Sequence, residues 1–84
     1  MTNLEIRAAV KSSIARITGI DPQEISDHSS YNHDLRLDSL TILEIAVDAE
    51  YQFKIKIPDD ELGTMVTVED TVRMVEKYLA AGAS

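Results

Sequence analysis

The tripeptide Asp38-Ser39-Leu40 contains the residues of this sequence that are best suited to chemistry. It places one hydroxyl at the opening turn of a predicted helix, directly after a carboxylate. The chain has no cysteine and only two histidines. No base and orienting acid stand at positions that would activate Ser39 as a nucleophile. We therefore expect no catalytic residue and no metal site, and interpret Ser39 as a side chain that another enzyme modifies.

The composition predicts one small domain with an aliphatic core. Of the 84 residues, 44% are apolar and only 5% are aromatic. This is enough apolar side chain for a thin core, and it argues against a disordered acidic tail. We predict a single domain over residues 1–84, ordered from about residue 3 to 80, with residues 81–84 as a fraying tail.

The net charge of −7 restricts the expected partners. Nucleic acids and anionic membrane surfaces attract Lys and Arg, so we expect neither to bind this chain. The acidity instead favours attraction to a basic protein surface. No apolar run approaches the ~20 residues that span a bilayer, and residues 1–5 have neither the basic start nor the apolar block of a secretory signal. We predict a cytoplasmic protein, and expect a monomer because nothing in the sequence indicates an oligomer.

Capping signals and helical spacing predict four helices. Thr2 and Glu5 have the spacing of a capping box, Asp38 is a good N-cap, Pro58 precedes a run of acids, and Thr67 begins another cap. The predicted helices cover about residues 3–17, 39–53, 59–62 and 68–80. The second helix has an apolar face wider than a lone surface helix requires.

The connections between these helices differ in character. Residues 19–37 form a long first loop with a short helical turn near Pro22–Ile25. The apolar residues expected to attach this loop to the core are Ile25, Tyr31, Leu35 and Leu37. The segment Lys54–Ile57 alternates as a strand does, although no partner strand is evident. The predicted fold is all-α: a small four-helix bundle of three main helices and one short helix, with a long first loop.

This order of elements, together with Asp34-Leu35-Arg36-Leu37-Asp38-Ser39-Leu40, resembles the acyl carrier proteins of fatty acid and polyketide synthesis. The similarity covers nearly the whole chain. The other segments that resemble the family are Ile20-Asp21-Pro22-Gln23-Glu24-Ile25, Ser30-Tyr31-Asn32-His33-Asp34-Leu35, Phe53-Lys54-Ile55-Lys56-Ile57-Pro58-Asp59-Asp60-Glu61 and Thr67-Val68-Glu69-Asp70.

The resemblance implies a cofactor and a set of partners. Ser39 is expected to carry a covalent 4′-phosphopantetheine, transferred from coenzyme A by a phosphopantetheinyl transferase, with Asp38 and Leu40 beside the attachment point. The arm's thiol is expected to hold acyl groups as thioesters, so that the chain acts as a freestanding, non-catalytic carrier. Our hypothesis for Asp38 is that it caps the helix and also helps the modifying enzyme, through a metal ion there.

Two further groups of residues acquire expected roles from the same resemblance. A solvated acidic face suits reversible docking onto acyltransferases, ketosynthases, ligases or other synthase enzymes with basic surfaces. The predicted docking residues are Glu44, Asp48, Glu50, Asp59 and Ile42. Aliphatic side chains between the helices form either a plain packed core or a cavity for the acyl chain, and the sequence leaves both open. The candidate cavity residues are Leu43, Ala46, Val47, Ile57, Leu62, Met65 and Val72.

Three residues depart from the family pattern. Arg36 stands where many carriers have glycine, and Thr41 and Tyr51 occupy positions that are often acidic in fatty acid carriers. These departures favour a specialised carrier for polyketide or other secondary lipid synthesis. Two alternatives are a carrier of amino acids or peptides with the same Ser39 chemistry, and an unmodified helical adaptor that works only by protein contact.

Overall fold

A computed structural model describes residues 2–82 of the chain. The helices are α1 (Asn3–Thr18), α2 (Ser39–Phe53), α3 (Asp59–Leu62) and α4 (Val68–Gly82), and a 3₁₀ turn (Pro22–Glu24) interrupts the first loop. The predicted all-α fold of three main helices and one short helix is confirmed. Among residues 2–82, no helix has both the length and the apolar content needed to cross a bilayer.

The ends of α1 are set by capping. The Thr2 hydroxyl accepts a hydrogen bond from the Glu5 backbone N–H, and the Glu5 carboxylate accepts one from the Thr2 backbone N–H, which completes the predicted capping box. Gly19 ends α1 in the left-handed conformation, with φ of 77°. At the other end of the chain, α4 continues through Gly82, so the predicted tail begins inside this helix and its last two residues lie outside the described part.

The prediction of a strand at Lys54–Ile57 is wrong. Lys54 ends α2 in the left-handed conformation, with φ of 56° and its N–H bonded to the Glu50 carbonyl. The Glu50 carboxylate then accepts a hydrogen bond of 2.7 Å from the Ile57 backbone N–H. A side chain of α2 therefore takes the place of a partner strand, and the alternation reflects the packing of Ile55 and Ile57 against the core while Lys54 and Lys56 are exposed.

The core lies among α1, α2 and α4, where each helix buries one apolar face. Burial of these side chains supplies most of the favourable free energy of folding in a domain of this size. Fully or almost fully buried are Ile6, Val10 and Ile14 of α1, Ile45, Ala46, Ala49 and Phe53 of α2, and Val68, Val72 and Val75 of α4. The opposite face of α2 exposes Leu40, Leu43 and Val47, so the extra apolar width predicted for this helix faces solvent.

Tyr31 attaches the first loop to the core. Its ring is completely buried, and its hydroxyl lies 2.6 Å from Oγ1 of Thr71 on α4. Thr71 is also completely buried. Burial raises the pKa of the Tyr31 phenol to about 12, so the group remains neutral near pH 7. The predicted attachment of the loop through Tyr31 is confirmed. Both packing of the ring and the hydrogen bond of its hydroxyl hold the loop to the core.

Backbone hydrogen bonds extend this attachment in both directions. The Tyr31 N–H donates to the Val66 carbonyl at 2.9 Å, beside an isolated antiparallel bridge between Ser30 and Thr67. The Tyr31 carbonyl accepts from the Leu37 N–H at 2.8 Å. The loop is therefore fixed to the start of α4 on one side and to the residue before the α2 cap on the other.

An ion-pair cluster attaches the earlier part of the loop. Asp27 lies 2.7 Å from Nζ of Lys11 and 3.2 Å from Nη1 of Arg7, both on α1, and Arg7 also binds Glu69 of α4. The contact with Lys11 lowers the pKa of the Asp27 carboxyl, and the contact with Arg7 lowers that of Glu69. The ion pairs among Asp27, Arg7, Lys11 and Glu69 therefore connect the loop, α1 and α4.

The Tyr31–Thr71 hydrogen bond predicts a measurable coupling. Tyr31→Phe leaves the Thr71 hydroxyl buried without this partner, which should lower the free energy of unfolding by about 1–2 kcal/mol. Adding Thr71→Val removes that unsatisfied hydroxyl and should restore part of the loss. Urea denaturation of the parent, both single variants and the double variant measures the coupling, and purely additive effects would contradict a bond between these two hydroxyls.

The ion-pair cluster predicts a loss of stability in acid. Because the folded-state pKa values of Asp27 and Glu69 are lowered, their contribution is present at neutral pH and disappears as the pH falls from about 5 to about 3. Glu69→Gln should flatten the pH dependence of the free energy of unfolding across this range. Glu24→Gln, which changes the net charge equally at an exposed position, is the control, and an equal flattening in both variants would contradict the prediction.

Candidate functional site

Ser39 is the first residue of α2, and its side chain is exposed. The preceding residue, Asp38, has extended backbone angles, and its carboxylate accepts a hydrogen bond of 2.8 Å from the Thr41 N–H. This hydrogen bond lowers the pKa of Asp38. The predicted N-cap is therefore present, and it leaves the Ser39 hydroxyl free to face solvent at the positive end of the helix dipole.

The segment before Ser39 is folded tightly on itself. The Ser30 N–H donates to the Asp34 carboxylate at 2.7 Å, and the Ser30 carbonyl accepts from the N–H groups of Asp34 and Leu35 at 3.0 Å. The turn then passes through Arg36, whose φ of 54° lies in the left-handed region. Residues with a Cβ atom are disfavoured in this region. The backbone at Arg36 therefore has a conformation that favours glycine, the residue expected at this position from the family resemblance.

An open cleft of about 310 Å³ begins at Ser39. It lies between α2 on one side and the α3 region with part of the first loop on the other. Its walls are formed by Asn32, Ser39, Ile42, Leu43, Ala46, Leu62, Gly63 and Met65. A water molecule takes up about 30 Å³ in the liquid, so the cleft offers room for a short aliphatic chain next to the serine.

The structure places four of the seven candidate cavity residues on this cleft: Leu43, Ala46, Leu62 and Met65. The other three lie elsewhere. Val47 is half exposed on the outer face of α2, Ile57 is buried on the wall of another groove, and Val72 is completely buried in the core. The helical period explains the difference for Val47, because one residue after Ala46 the side chain has turned toward solvent.

The predicted docking acids separate into two kinds. Glu44 and Asp59 are exposed. Asp48 instead accepts hydrogen bonds from Ser13 at 2.5 Å and from Arg16 at 2.8 Å. Burial alone would raise the pKa of Asp48, but these two donors outweigh it and the pKa is lowered.

Two other predicted docking residues also have structural contacts. The Glu50 carboxylate binds the backbone N–H of Ile57, as described above. Ile42 is half-buried and lines the cleft. The role of the whole docking set therefore stays a prediction, although only Glu44 and Asp59 present carboxylates that no other residue is seen to engage within the described part of the chain.

Sequence reasoning missed several residues of this region. Asn32 and Gly63 line the cleft, but nothing in their local sequence indicates that the first loop and the end of α3 approach α2. Ser13 gave no signal either, because its role depends on the way α1 and α2 cross. Tyr51 was identified only as a departure from the family, whereas the structure makes it the most exposed large apolar side chain among the described residues.

Comparison with known proteins agrees with the resemblance to the acyl carrier proteins. The family model described as "Phosphopantetheine attachment site" matches residues 8–75. The chain is 42% identical over 77 residues to a meromycolate extension acyl carrier protein of Mycobacterium leprae, covering 92% of this chain and 67% of that protein. It is 39% identical over 82 residues to an acyl carrier protein of Rhodococcus erythropolis, covering 98% and 90%. An acyl carrier protein of Micrococcus luteus is 36% identical over 72 residues, covering 86% and 89%.

The backbone at Arg36 predicts a stabilising substitution. Arg36→Gly relieves the left-handed strain at the cost of a more flexible unfolded chain, and should raise the free energy of unfolding by about 0.5–1 kcal/mol. Arg36→Ala is the matched control, since it removes the same charge but keeps a Cβ at positive φ. Urea denaturation distinguishes the two effects: equal changes in both variants would mean that charge, and not backbone strain, governs this position.

Proposed function

This chain belongs to the phosphopantetheine-attachment family that includes the acyl carrier proteins, and we propose that Ser39 is the residue that bears the arm. As a member of this family it is a carrier and not an enzyme, and its prosthetic group is 4′-phosphopantetheine. When attached, this group supplies a thiol that holds acyl groups as thioesters. The observation that carries the assignment is the exposed Ser39 hydroxyl at the capped start of α2, on a cleft that aliphatic side chains of α2 and α3 partly line.

The residues around Ser39 fit a phosphodiester-linked arm. The first turn of a helix presents N–H groups without intrahelical partners, and its dipole favours an anion by about 0.3–1 kcal/mol. Asp38 engages the Thr41 N–H, which holds its carboxylate on the cap. Arg36, three residues before Ser39, adds an exposed cation that offsets the charge of Asp38.

The cleft fits the cargo expected of such a carrier. Leu43, Ala46, Leu62 and Met65 lie on the same cleft as the serine, and Leu43 and Leu62 expose most of the aliphatic surface among them. Each methylene that an acyl chain buries there contributes roughly 0.8 kcal/mol. We propose that the part of the acyl chain nearest the thioester is buried in this cleft while the carrier is not bound to a partner enzyme.

The pathway we propose is lipid synthesis of the fatty acid type. The relatives described above are acyl carrier proteins, and mycobacterial ones are named for meromycolate extension. These names support fatty acyl cargo, whereas none of these relatives is named for polyketide synthesis. Arg36, Thr41 and Tyr51 still set this chain apart from the usual pattern, and a polyketide intermediate is the second candidate cargo.

Membership of the family implies contact with a phosphopantetheinyl transferase and with synthase enzymes. We propose that acyltransferases, ketosynthases and ligases approach α2 with basic surfaces, because α2 contains three acids and no Lys or Arg. The exposed Glu44 is the acid of α2 best placed for such contact, and Asp59 at the start of α3 extends the same charge. Such contacts raise association rates while leaving affinity modest.

Mass spectrometry of the intact protein tests the assignment of Ser39. The chain is incubated with coenzyme A and a broad-specificity phosphopantetheinyl transferase, with Ser39→Ala in parallel. The parent should gain the mass of one phosphopantetheinyl group, and Ser39→Ala should gain none because it lacks the attacking oxygen. Circular dichroism of Ser39→Ala provides the folding control. Its spectrum should match that of the parent, since the replaced side chain is exposed.

The possible results separate the remaining candidates. Modification of Ser39→Ala would show that another hydroxyl bears the arm. A folded parent that stays unmodified, while a known carrier is labelled in the same reaction, would favour the adaptor hypothesis. Once the parent is modified, the mass of the thioester-bound group in purified native protein distinguishes a fatty acyl from an aminoacyl or peptidyl cargo.

A further inference from the structure

The cleft beside Ser39 has a polar side chain, Asn32, on a wall whose other side chains are mostly apolar. Apart from Ser39, those side chains belong to Ile42, Leu43, Ala46, Leu62 and Met65. Once the Ser39 oxygen is bonded to the phosphate of the arm, Asn32 is the one side chain lining this cleft, within the described part of the chain, that donates a hydrogen bond. A small number of polar groups in an apolar site usually determines which ligand the site selects.

The backbone on both sides of Asn32 is held in place. Tyr31, directly before it, donates its N–H to the Val66 carbonyl at 2.9 Å. His33, directly after it, donates its N–H to the Ser30 hydroxyl at 3.1 Å. Asn32 therefore projects from a turn that is fixed at both ends, so little entropy is lost when a ligand orders its side chain.

The side-chain amide of Asn32 is available to a ligand. An asparagine in a turn commonly bonds the neighbouring backbone, which would give it a purely local role. Within residues 2–82, however, the Asn32 side chain is exposed and hydrogen-bonds to no other residue. By contrast, the side-chain oxygen of Asn3 accepts a hydrogen bond of 3.0 Å from Nε of Arg7. Asn32 thus keeps both its donor and its acceptor free at the cleft.

The cargo of an acyl carrier differs in polarity from one intermediate to the next. Chain extension by condensation of two thioesters leaves a carbonyl on the β-carbon, and reduction converts this carbonyl to a hydroxyl before the oxygen is removed. A β-oxygen that enters an apolar cleft loses its hydrogen bonds to water, which disfavours burial unless the protein replaces them. A saturated chain has no such requirement.

We propose that Asn32 binds the β-oxygen of an acyl chain in the cleft, so that this carrier holds β-oxo and β-hydroxy intermediates more tightly than it would without the amide. This inference rests on the proposed carrier function. The amide N–H donates to a β-carbonyl, and the amide oxygen also accepts from a β-hydroxyl. A saturated chain of the same length gains only apolar contacts, with side chains such as Leu43 and Leu62.

Nuclear magnetic resonance of the loaded carrier tests this contact directly. Phosphopantetheinyl transferase loads Ser39 from the coenzyme A thioesters of octanoic, β-hydroxyoctanoic and β-oxooctanoic acid, and mass spectrometry verifies each product. The chain has two asparagines and two glutamines, so the side-chain amide signals are few, and the signal of Asn32 is the one missing from Asn32→Leu. This signal should move with both oxygenated chains, and should stay near its position in the unacylated carrier with octanoyl.

Cleavage of the thioester by hydroxylamine measures how well each chain is protected. Asn32→Leu should speed cleavage of the β-oxo chain about threefold to tenfold and leave octanoyl within about twofold, because one hydrogen bond is lost and the apolar contacts remain. The same thioester is compared in parent and variant, so its intrinsic reactivity cancels. Asn32→Asp accepts but does not donate, and should lose protection of the β-oxo chain while keeping that of the β-hydroxy chain.

A matched control makes the same chemical change away from the cleft. Gln23→Leu replaces an exposed side-chain amide on the 3₁₀ turn, and should leave all cleavage rates unchanged. Circular dichroism verifies the fold of each variant. The shift of the Asn32 signal is measured in the parent chain, so this part of the test does not depend on the stability of a variant.

Several outcomes would overturn the proposal. Equal shifts of the Asn32 signal with octanoyl and β-oxooctanoyl, or no shift with either, would remove the assigned role of Asn32. A full shift on attachment of the unacylated arm would mean that Asn32 binds an amide of the arm and not the cargo. The carrier function is judged separately by the loading step: a chain that is loaded on Ser39 but whose Asn32 signal is indifferent to the cargo retains that function and loses only this inference.

Discussion

The buried hydrogen bond between Tyr31 and Thr71 is the contact on which the arrangement of the site depends. The first loop is long, and a long loop without secondary structure is normally mobile. Here Tyr31 is completely buried and joined to α4, and its carbonyl accepts a hydrogen bond from the Leu37 N–H. Asp38 and Ser39 therefore follow a segment that hydrogen bonds hold to the core, and the Asp38 cap sets the start of α2.

The helix α2 contributes to three parts of the structure with one sequence. Its inner face, including Ile45 and Ala49, completes the core. Its first turn presents Ser39, and the side that includes Leu43 and Ala46 forms one wall of the cleft. The remaining apolar side chains, including Leu40 and Val47, are exposed on the outside of the helix. The helix is therefore more apolar than a surface helix because it serves a core, a cleft and an exposed surface together.

Local signals were sufficient to predict the elements of the fold. The capping box at Thr2, the cap at Asp38 and the proline before α3 at Pro58 each act within a few residues, so the sequence indicates them directly. The burial of Tyr31 was also predictable, because it is a large aromatic side chain in an otherwise polar loop. The strand predicted at Lys54–Ile57 is absent because Glu50, in the preceding helix, accepts the hydrogen bond from the Ile57 N–H that a partner strand would otherwise supply.

The site was predictable only in part because its remaining features depend on packing between distant segments. The position of Ser39 follows from its local motif, whereas the cleft requires α2 and the end of α3 to lie side by side. The exposure of Glu44 and the engagement of Asp48 differ because α1 brings Ser13 and Arg16 to one acid and not the other. No pattern within α2 distinguishes these two carboxylates.

The location of Thr71 has a consequence for the order of events during synthesis of the chain. Tyr31 is paired with a residue 40 positions later, and Arg7 with one 62 positions later. Contacts of such long sequence separation form late in folding because they require closure of large loops. While the ribosome still holds α4, the loop before Ser39 lacks the hydrogen bond between Tyr31 and Thr71, although Asp27 can already pair with Lys11 on α1. The attachment segment therefore acquires its final shape only after α4 has emerged, so the shape of this segment depends on a part of the chain that is synthesised much later.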